Sequence, residues 1–459
     1  MKMFLQGQWQ ERGTVADVIH PYDGAVLDTV PVGAPADISA ALNGLEQGAA
    51  VMRALPTHRR VEILRRTAQL MAEQQEDLAR LISREEGKVL AEGRIEAGRA
   101  METLDLSADA ARDLHGETVP LDATPGGVGK LGFTLRVPCG IVAAITPFNF
   151  PLNLVAHKIG PAIAGGNAVL LKPASDTPLS ALKLVELLLE AGLPEEAIAC
   201  VTGPGGELGA AICSDARVRK ISFTGSAEVG EAITRAAGLK RVTMELGSNS
   251  PVIVLDDADV AKVARTLAVT GYANAGQVCI SSQRVIATPG AHADLLDALR
   301  TEVQQLVAGD PLAEGTQVGP LIRERDAARV ETWLGEAVTQ GAELLCGGSR
   351  EGAVVQPALL ANVAPEMKLS CEELFGPALG VTRAPDVESA IALANETRFG
   401  LSAAVFTQDI DRAMRFAREV DSGNLHINFG TAWRAEIMPY GGLKAVSYTH
   451  LTLPTKRIV

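Results

Sequence analysis

Cys279 stands in Asn274-Ala-Gly276-Gln-Val-Cys279-Ile-Ser, a glycine-containing turn that could present a thiolate as a nucleophile. A lone cysteine in such a turn also fits a small buried hydrophobe. Glu245 lies in Met244-Glu245-Leu246-Gly247, just ahead of the apolar run 251–254. A carboxylate in apolar surroundings holds its proton more tightly, which suits general-base work, although a capping or solvated role fits it too. Thr146-Pro147-Phe148-Asn149-Phe-Pro151 is a proline-fixed turn whose Asn149 amide could donate to an oxyanion. Two further turns, Gly203-Pro-Gly205-Gly-Glu-Leu-Gly209 and Phe223-Thr224-Gly225-Ser226-Ala-Glu-Val229-Gly230, join an apolar run to a helix. Backbone N–H groups at such junctions bind phosphate. Each turn alone is also an ordinary N-capped connection; two of them together favour a nucleotide.

Elements of two kinds must position these residues. The stretch 59–114 has apolar residues at helical spacing, Val61, Leu64, Ala68 and Met71 among them, with charges on the other face. From 116 to 136 the pattern turns to short β-like runs around Ala-Thr-Pro-Gly-Gly-Val-Gly-Lys. Short apolar runs at 140–145, 168–171, 198–201, 220–223 and 251–254 then alternate with helical segments such as 179–190. A second series follows Cys279, with 284–287, 378–381 and 403–406 as strands. Alternating strands and helices predict βαβ units and two parallel-sheet α/β lobes.

The chain has 459 residues and a net charge of −13, with no basic run, which argues against nucleic acid or an anionic membrane as partner. No apolar stretch approaches the ~20 residues that span a bilayer, and the amino terminus turns polar too early for a signal peptide. The six cysteines lack paired spacing, so neither a metal site nor a disulfide framework is expected, and a cytoplasmic setting fits best.

Taken in order, PFNFP, LKPASDTP, FTGSAEVG, MELG, GQVC, EELFGP and MPYGGLK resemble the aldehyde dehydrogenase superfamily over 148–444. The resemblance implies two Rossmann-like lobes plus a small β bridging element. The NAD(P)-binding lobe would comprise 1–115 and 137–244, the bridging and oligomerisation hairpin 116–136, and the catalytic lobe 245–444. It implies that Cys279 attacks the aldehyde to give a thiohemiacetal, that Asn149 with the Cys279 N–H holds the oxyanion, and that Glu245 activates water against the thioester. Glu245 also points to the hydrolytic branch, which releases free acid, rather than the acylating one.

By the same resemblance Lys172 joins the catalytic set and binds the adenosine ribose, while Glu373 and Phe375 hold the nicotinamide ribose and ring. Ile145, Thr146, Pro147, Phe148, Ser175, Gly205, Gly209, Phe223, Thr224, Gly225, Ser226, Val229, Leu246 and Gly247 line the rest of the cofactor site. Strictly NAD-using members often carry Glu where this chain has Ser175. A carboxylate there would repel a 2′-phosphate and a serine would not, so either NAD or NADP is expected. Trp433 and Arg434 match substrate-loop positions. Arg434 and Arg284 could bind an anionic group on a small aldehyde, or could pair with carboxylates of an acidic chain.

Two features depart from the family pattern. Ser248-Asn249 replaces the usual Gly-Lys after Glu-Leu-Gly. After Lys444 the sequence 445–459 matches neither the usual continuation nor the terminal strand that completes the bridging sheet, as foreign or frame-shifted coding would produce. An unpaired edge would then impair assembly of the expected homodimer or homotetramer. Two other functions remain to be weighed: a cofactor-independent thiol esterase, and a non-catalytic protein on the same scaffold.

Overall fold

The computed structural model describes residues 1–444. Its first sheet runs Arg241–Glu245, Val218–Thr224, Ile141–Ile145, Ala168–Lys172, Ile198–Cys200, Met3–Leu5, Gln8–Gln10. The first five strands are parallel and the amino-terminal pair is antiparallel. Ile141–Ile145 and Ala168–Lys172 are buried at every position, because helices cover both faces of a parallel sheet. Alternate residues feed different cores. Val142, Ala144, Val169 and Leu171 pack with the helices Thr57–Glu73, Leu90–Arg112, Asn153–Ala164 and Leu179–Glu190. Ile141, Ala143, Ile145 and Leu170 pack with Pro35–Ala54, Gly205–Ser214 and Ala227–Ala237.

The second sheet runs Glu343–Cys346, Ala358–Ala361, Ala378–Arg383, Arg284–Ala287, Pro251–Val254, Ser402–Phe406, Asn424–Ile427. Only Glu343–Cys346 pairs antiparallel. The fold is thus α/β with two parallel-sheet lobes.

The helical stretch expected over 59–114 is three helices, Thr57–Glu73, Gln75–Glu86 and Leu90–Arg112. Gly87, at φ 89, ends the second in a left-handed cap that most residues adopt only with strain. The hairpin region holds two short antiparallel strands, Thr118–Val119 and Gly132–Phe133, and leaves Val128, Leu131, Phe133 and Leu135 exposed. The departure after Lys444 and the terminal strand it bears on lie outside the described residues. The sequence reading missed the pair Met3–Leu5 and Gln8–Gln10 and the strand Arg241–Glu245. Chain order in the first sheet reverses between Ile141–Ile145 and Val218–Thr224, and α/β sheets bind ligands at the carboxyl ends of strands flanking such a switch.

Candidate active site

The thiol sits on a loop that few sequences could form. Asn274, Ala275 and Gly276 are successive left-handed residues, at φ 50, 53 and 72. Such strain survives only where surroundings over-determine it. Here Asn274 donates from its backbone N to Glu92 Oε2 at 3.0 Å and from Nδ2 to Glu86 Oε1 at 2.9 Å. A Cβ on Gly276 would lie 2.1 Å from the Gly376 carbonyl, so only glycine lets this loop press against the Glu-Glu-Leu-Phe-Gly-Pro segment.

Cys279 follows, packed beside Val278, Ile280, Phe399, Leu401 and Tyr440. Burial pushes its thiol up to about 12; the Tyr440 hydroxyl and Arg434 oppose the shift while the carboxylates of Glu373 and Glu245 add to it. Asn149 is buried and its Nδ2 donates to the Gln277 carbonyl at 2.7 Å, which sets the amide against the Cys279 loop. Its own carbonyl accepts from Lys88 Nζ at 2.7 Å and from Asn274 Nδ2 at 3.2 Å. Lys88 in turn meets Glu96 at 2.5 Å, and Glu96 caps the helix carrying Asn153 through the N–H groups of Leu152 and Asn153.

Glu245 ends the strand Arg241–Glu245, so its charge acts on the thiol from the first sheet. Its carboxylate acts on buried Lys158, whose amine donates to Thr224 Oγ1 at 2.7 Å and to Ser222 Oγ at 3.3 Å. Burial lowers that amine to about 8 against the pull of Glu245. Glu373 accepts from the Ser248 N–H at 2.8 Å. It lies over Gly247 so closely that a Cβ there would meet Oε2 at 2.2 Å. Burial raises Glu373 to about 7. The Ser248-Asn249 departure therefore has its own bonding: Ser248 holds Glu373, and buried Asn249 donates from Nδ2 to the Ser370 carbonyl at 2.7 Å. Phe148 and Phe375 meet edge-on at 5.8 Å.

The remaining first-lobe residues gather at the switch. Ile145, Lys172 and Thr224 end strands of the first sheet, with Thr146, Pro147 and Phe223 beside them. The helix Ala227–Ala237 begins there, capped by Ser226, whose Oγ accepts from the Val229 N–H at 3.4 Å. Leu246 presses on this helix where only Gly230 leaves room, since a Cβ there would meet Leu246 Cδ2 at 2.4 Å. Gly225 donates to the Glu245 carbonyl at 3.0 Å. Gly205 and Gly209, on the helix Gly205–Ser214, have open space where side chains would stand. Lys172 is buried, donates to the Pro173 carbonyl and is lowered to about 8 by that burial. Ser175 is exposed and donates to the Gly203 carbonyl at 2.9 Å; its neighbour Asp176 is paired with Arg323. Open backbone at two helix starts, a buried amine and hydroxyls around one switch point fit a dinucleotide.

Two expected substrate residues fare differently from Arg434. Arg284 is buried in its strand and donates to the carbonyls of Ser370, Leu393 and Ala394. It is a strut between elements and has no donor pattern aimed at a substrate. Trp433 is exposed and packs edge-on against Phe429 at 5.4 Å. Arg434 does approach the thiol: its guanidinium lies over the Tyr440 ring, 4.2 Å from the centroid. It stands 3.7 Å from Glu436, which Arg99 grips at 2.5 Å and His157 meets at 3.1 Å. Lys88, His157, Lys158, Glu436 and Tyr440 escaped the sequence reading. A usable signal existed for two of them, because His157 and Lys158 are the ionisable residues of the otherwise apolar helix Asn153–Ala164. Among the described residues no cluster could hold a metal ion, and no helix is long and apolar enough to cross a membrane.

Comparison with known proteins agrees with this geometry. Residues 9–453 match the aldehyde dehydrogenase family. The chain is 41% identical over 442 residues to 3-sulfolactaldehyde dehydrogenase of Priestia aryabhattai, covering 96% of this chain and 92% of that one. It is 42% identical over 432 residues to aspartate-semialdehyde dehydrogenase 1 of Pseudomonas canavaninivorans, covering 93% and 91%. The structure of NADP-dependent glyceraldehyde-3-phosphate dehydrogenase from Bacillus halodurans, complexed with NADP, superposes with a TM-score of 0.95 at 35% identity, covering 97% and 94%. The chain belongs to the aldehyde dehydrogenase family, whose members oxidise aldehydes with NAD(P).

Proposed function

We propose that this chain oxidises a short aldehyde bearing an anionic group to the free acid, with NADP accepted alongside or ahead of NAD. The observation that carries the reading is the convergence of Cys279, from the second lobe, with Glu245 and Asn149, from the first, beside a dinucleotide-type switch point. Cys279 attacks the carbonyl carbon, and Asn149, steered by Lys88 and Asn274, donates to the oxygen as charge develops there. NAD(P), when bound, would supply the hydride acceptor that oxidation of the thiohemiacetal to a thioester requires. Lys172, the hydroxyl and glycine turns, Glu373 and Phe375 would hold and orient it. Glu245 then takes the proton of the water that attacks the thioester, releasing acid and thiol.

Three observations support an anionic substrate. Arg434 faces the thiol side of the site; Arg99 and Arg434 together outweigh the single charge of Glu436; and the relatives above are named for aldehydes carrying sulfonate, carboxylate or phosphate. Ser175 supports NADP, because no carboxylate stands there and Arg323 neutralises that of Asp176. A cytoplasmic homodimer or homotetramer is the matching assembly, and the atypical sequence 445–459 is expected to impair it. The deciding experiment follows reduced-cofactor absorbance over anionic and neutral aldehydes with either cofactor, using intact protein and Cys279→Ala. Activity that survives Cys279→Ala would overturn the nucleophile. Ester hydrolysis without cofactor, and no aldehyde oxidation, would favour the esterase.

A further inference from the structure

Beside Cys279 Sγ stands a phenol that the scheme above does not use. The Tyr440 hydroxyl stands 3.7 Å from the sulfur, within hydrogen-bond reach for a third-row atom. Its ring packs against the apolar cluster of Val278, Ile280, Phe399 and Leu401, and the guanidinium of Arg434 lies over it. Arg434 is itself steadied by Glu436, which Arg99 and His157 fix in place. These contacts hold the ring with its hydroxyl beside the sulfur.

We propose that Tyr440 is a catalytic residue whose hydroxyl donates a hydrogen bond to the Cys279 thiolate until the carbon–sulfur bond forms. The inference rests on the reading of Cys279 as nucleophile. Burial keeps the Tyr440 hydroxyl protonated far above neutrality, so it is a donor throughout. The thiol proton leaves to water in a prior equilibrium. A sulfur lone pair then forms the bond to the carbonyl carbon while the C=O π pair moves to oxygen. The phenol keeps its proton, and the alkylated sulfur, a poor acceptor, lets it go.

A donor is needed because the surroundings otherwise oppose the thiolate. Of the charged groups acting most strongly on the sulfur, Glu245 at its strand end and Glu373 beside Gly247 are repulsive, and Arg434 is attractive. With the thiol held near 12, thiolate is scarce at neutral pH. Each unit by which a donor lowers that value gives tenfold more thiolate. Lower basicity returns part of the gain through a Brønsted slope of ~0.4–0.5, leaving about three- to fourfold per unit in rate.

Tyr440→Phe removes the O–H while keeping the ring, its apolar contacts and its cationic face. The test is the rate of Cys279 alkylation by iodoacetamide between about pH 7 and pH 9, where thiolate is the minor form, read at the peptide level in wild type and variant of equal melting temperature. The expected result is alkylation about three- to fourfold slower in the variant at each pH. Site-specific 3-fluorotyrosine at position 440, a more acidic donor, should make it faster than wild type. Equal rates in all three proteins would overturn the role of Tyr440 while leaving the nucleophile standing. Aldehyde oxidation retained by Cys279→Ala would instead overturn the reading beneath it.

Discussion

Lys88 Nζ donates to the Asn149 carbonyl at 2.7 Å while binding Glu96 at 2.5 Å, so the amino-terminal segment grips the backbone of the proposed oxyanion donor. Both Lys88 and Glu96 are almost wholly excluded from water. Breaking a buried pair of this kind costs ~3–5 kcal/mol, because the remaining charge is left uncompensated. Lys88→Met should lower stability by about that amount in urea denaturation. Below its unfolding transition it should lose about a hundredfold in kcat, the effect of a misplaced catalytic group. A kcat equal to wild type in folded Lys88→Met would separate this network from catalysis.

Glu245→Gln should split the reaction in time. Acylation and its single burst of reduced cofactor persist, while steady turnover falls by about 10²–10⁴-fold as general-base help is lost. Rapid-mixing absorbance distinguishes this from Cys279→Ala, which should give neither phase. Loss of the burst itself in Glu245→Gln would move the carboxylate's role to thiol activation.

At the other end of the site, Ser175→Glu places a carboxylate where the adenosine ribose is expected. Repulsion of a 2′-phosphate should lower kcat/KM with NADP by roughly ten- to a hundredfold, about 1.4–2.8 kcal/mol, with NAD little changed. Equal losses with both cofactors would mean that the residue does not face the 2′ position.

Arg434→Ala should raise KM for anionic aldehydes at least about tenfold relative to neutral ones, as expected for a lost charge-assisted contact. Arg284→Ala is the control. Its guanidinium serves the carbonyls of Ser370, Leu393 and Ala394, so its loss should lower stability with no preference among substrates. Selective loss of anionic substrates in Arg284→Ala would reverse the two assignments.

Burial raises Glu85, Glu92 and Glu373 each to about 7. Such a carboxylate binds its proton more tightly folded than unfolded. Its stabilising share is complete below the unfolded value of ~4.3 and is lost as pH climbs through about 7. Glu436 has the opposite sign. Burial works against it, but the hydrogen bond from His157 and the charges of His157, Arg99 and Arg434 hold it at about 2, so its share disappears only in strong acid. Thermal stability should therefore fall by several degrees from pH 5.5 to pH 8, and Glu92→Gln should flatten the slope. A melting temperature that rises over this interval would contradict the raised values.

Legibility in the sequence followed the range of the interaction. Runs such as 141–145, 168–171 and 285–287 announce themselves because both faces of each are apolar. The strand Arg241–Glu245 did not, since its charged ends break the run and only pairing with Val218–Thr224 makes it a strand. Motif residues were readable, yet partnership was not. Arg434 and Arg284 look equivalent as letters; only the fold shows one over the Tyr440 ring and the other spent on backbone carbonyls. Tyr440 lay in plain view within Met-Pro-Tyr-Gly-Gly-Leu-Lys, but its hydroxyl meets a sulfur far away in the chain.

In the proposed scheme the base rides on one sheet and the nucleophile on a loop of the other. The oxyanion donor Asn149 also comes from the first lobe, and Arg434 is tied through Glu436 to Arg99 and His157. Both half-reactions therefore meet at the seam between lobes, and a substitution that shifts one lobe against the other should slow thiol attack and thioester hydrolysis together.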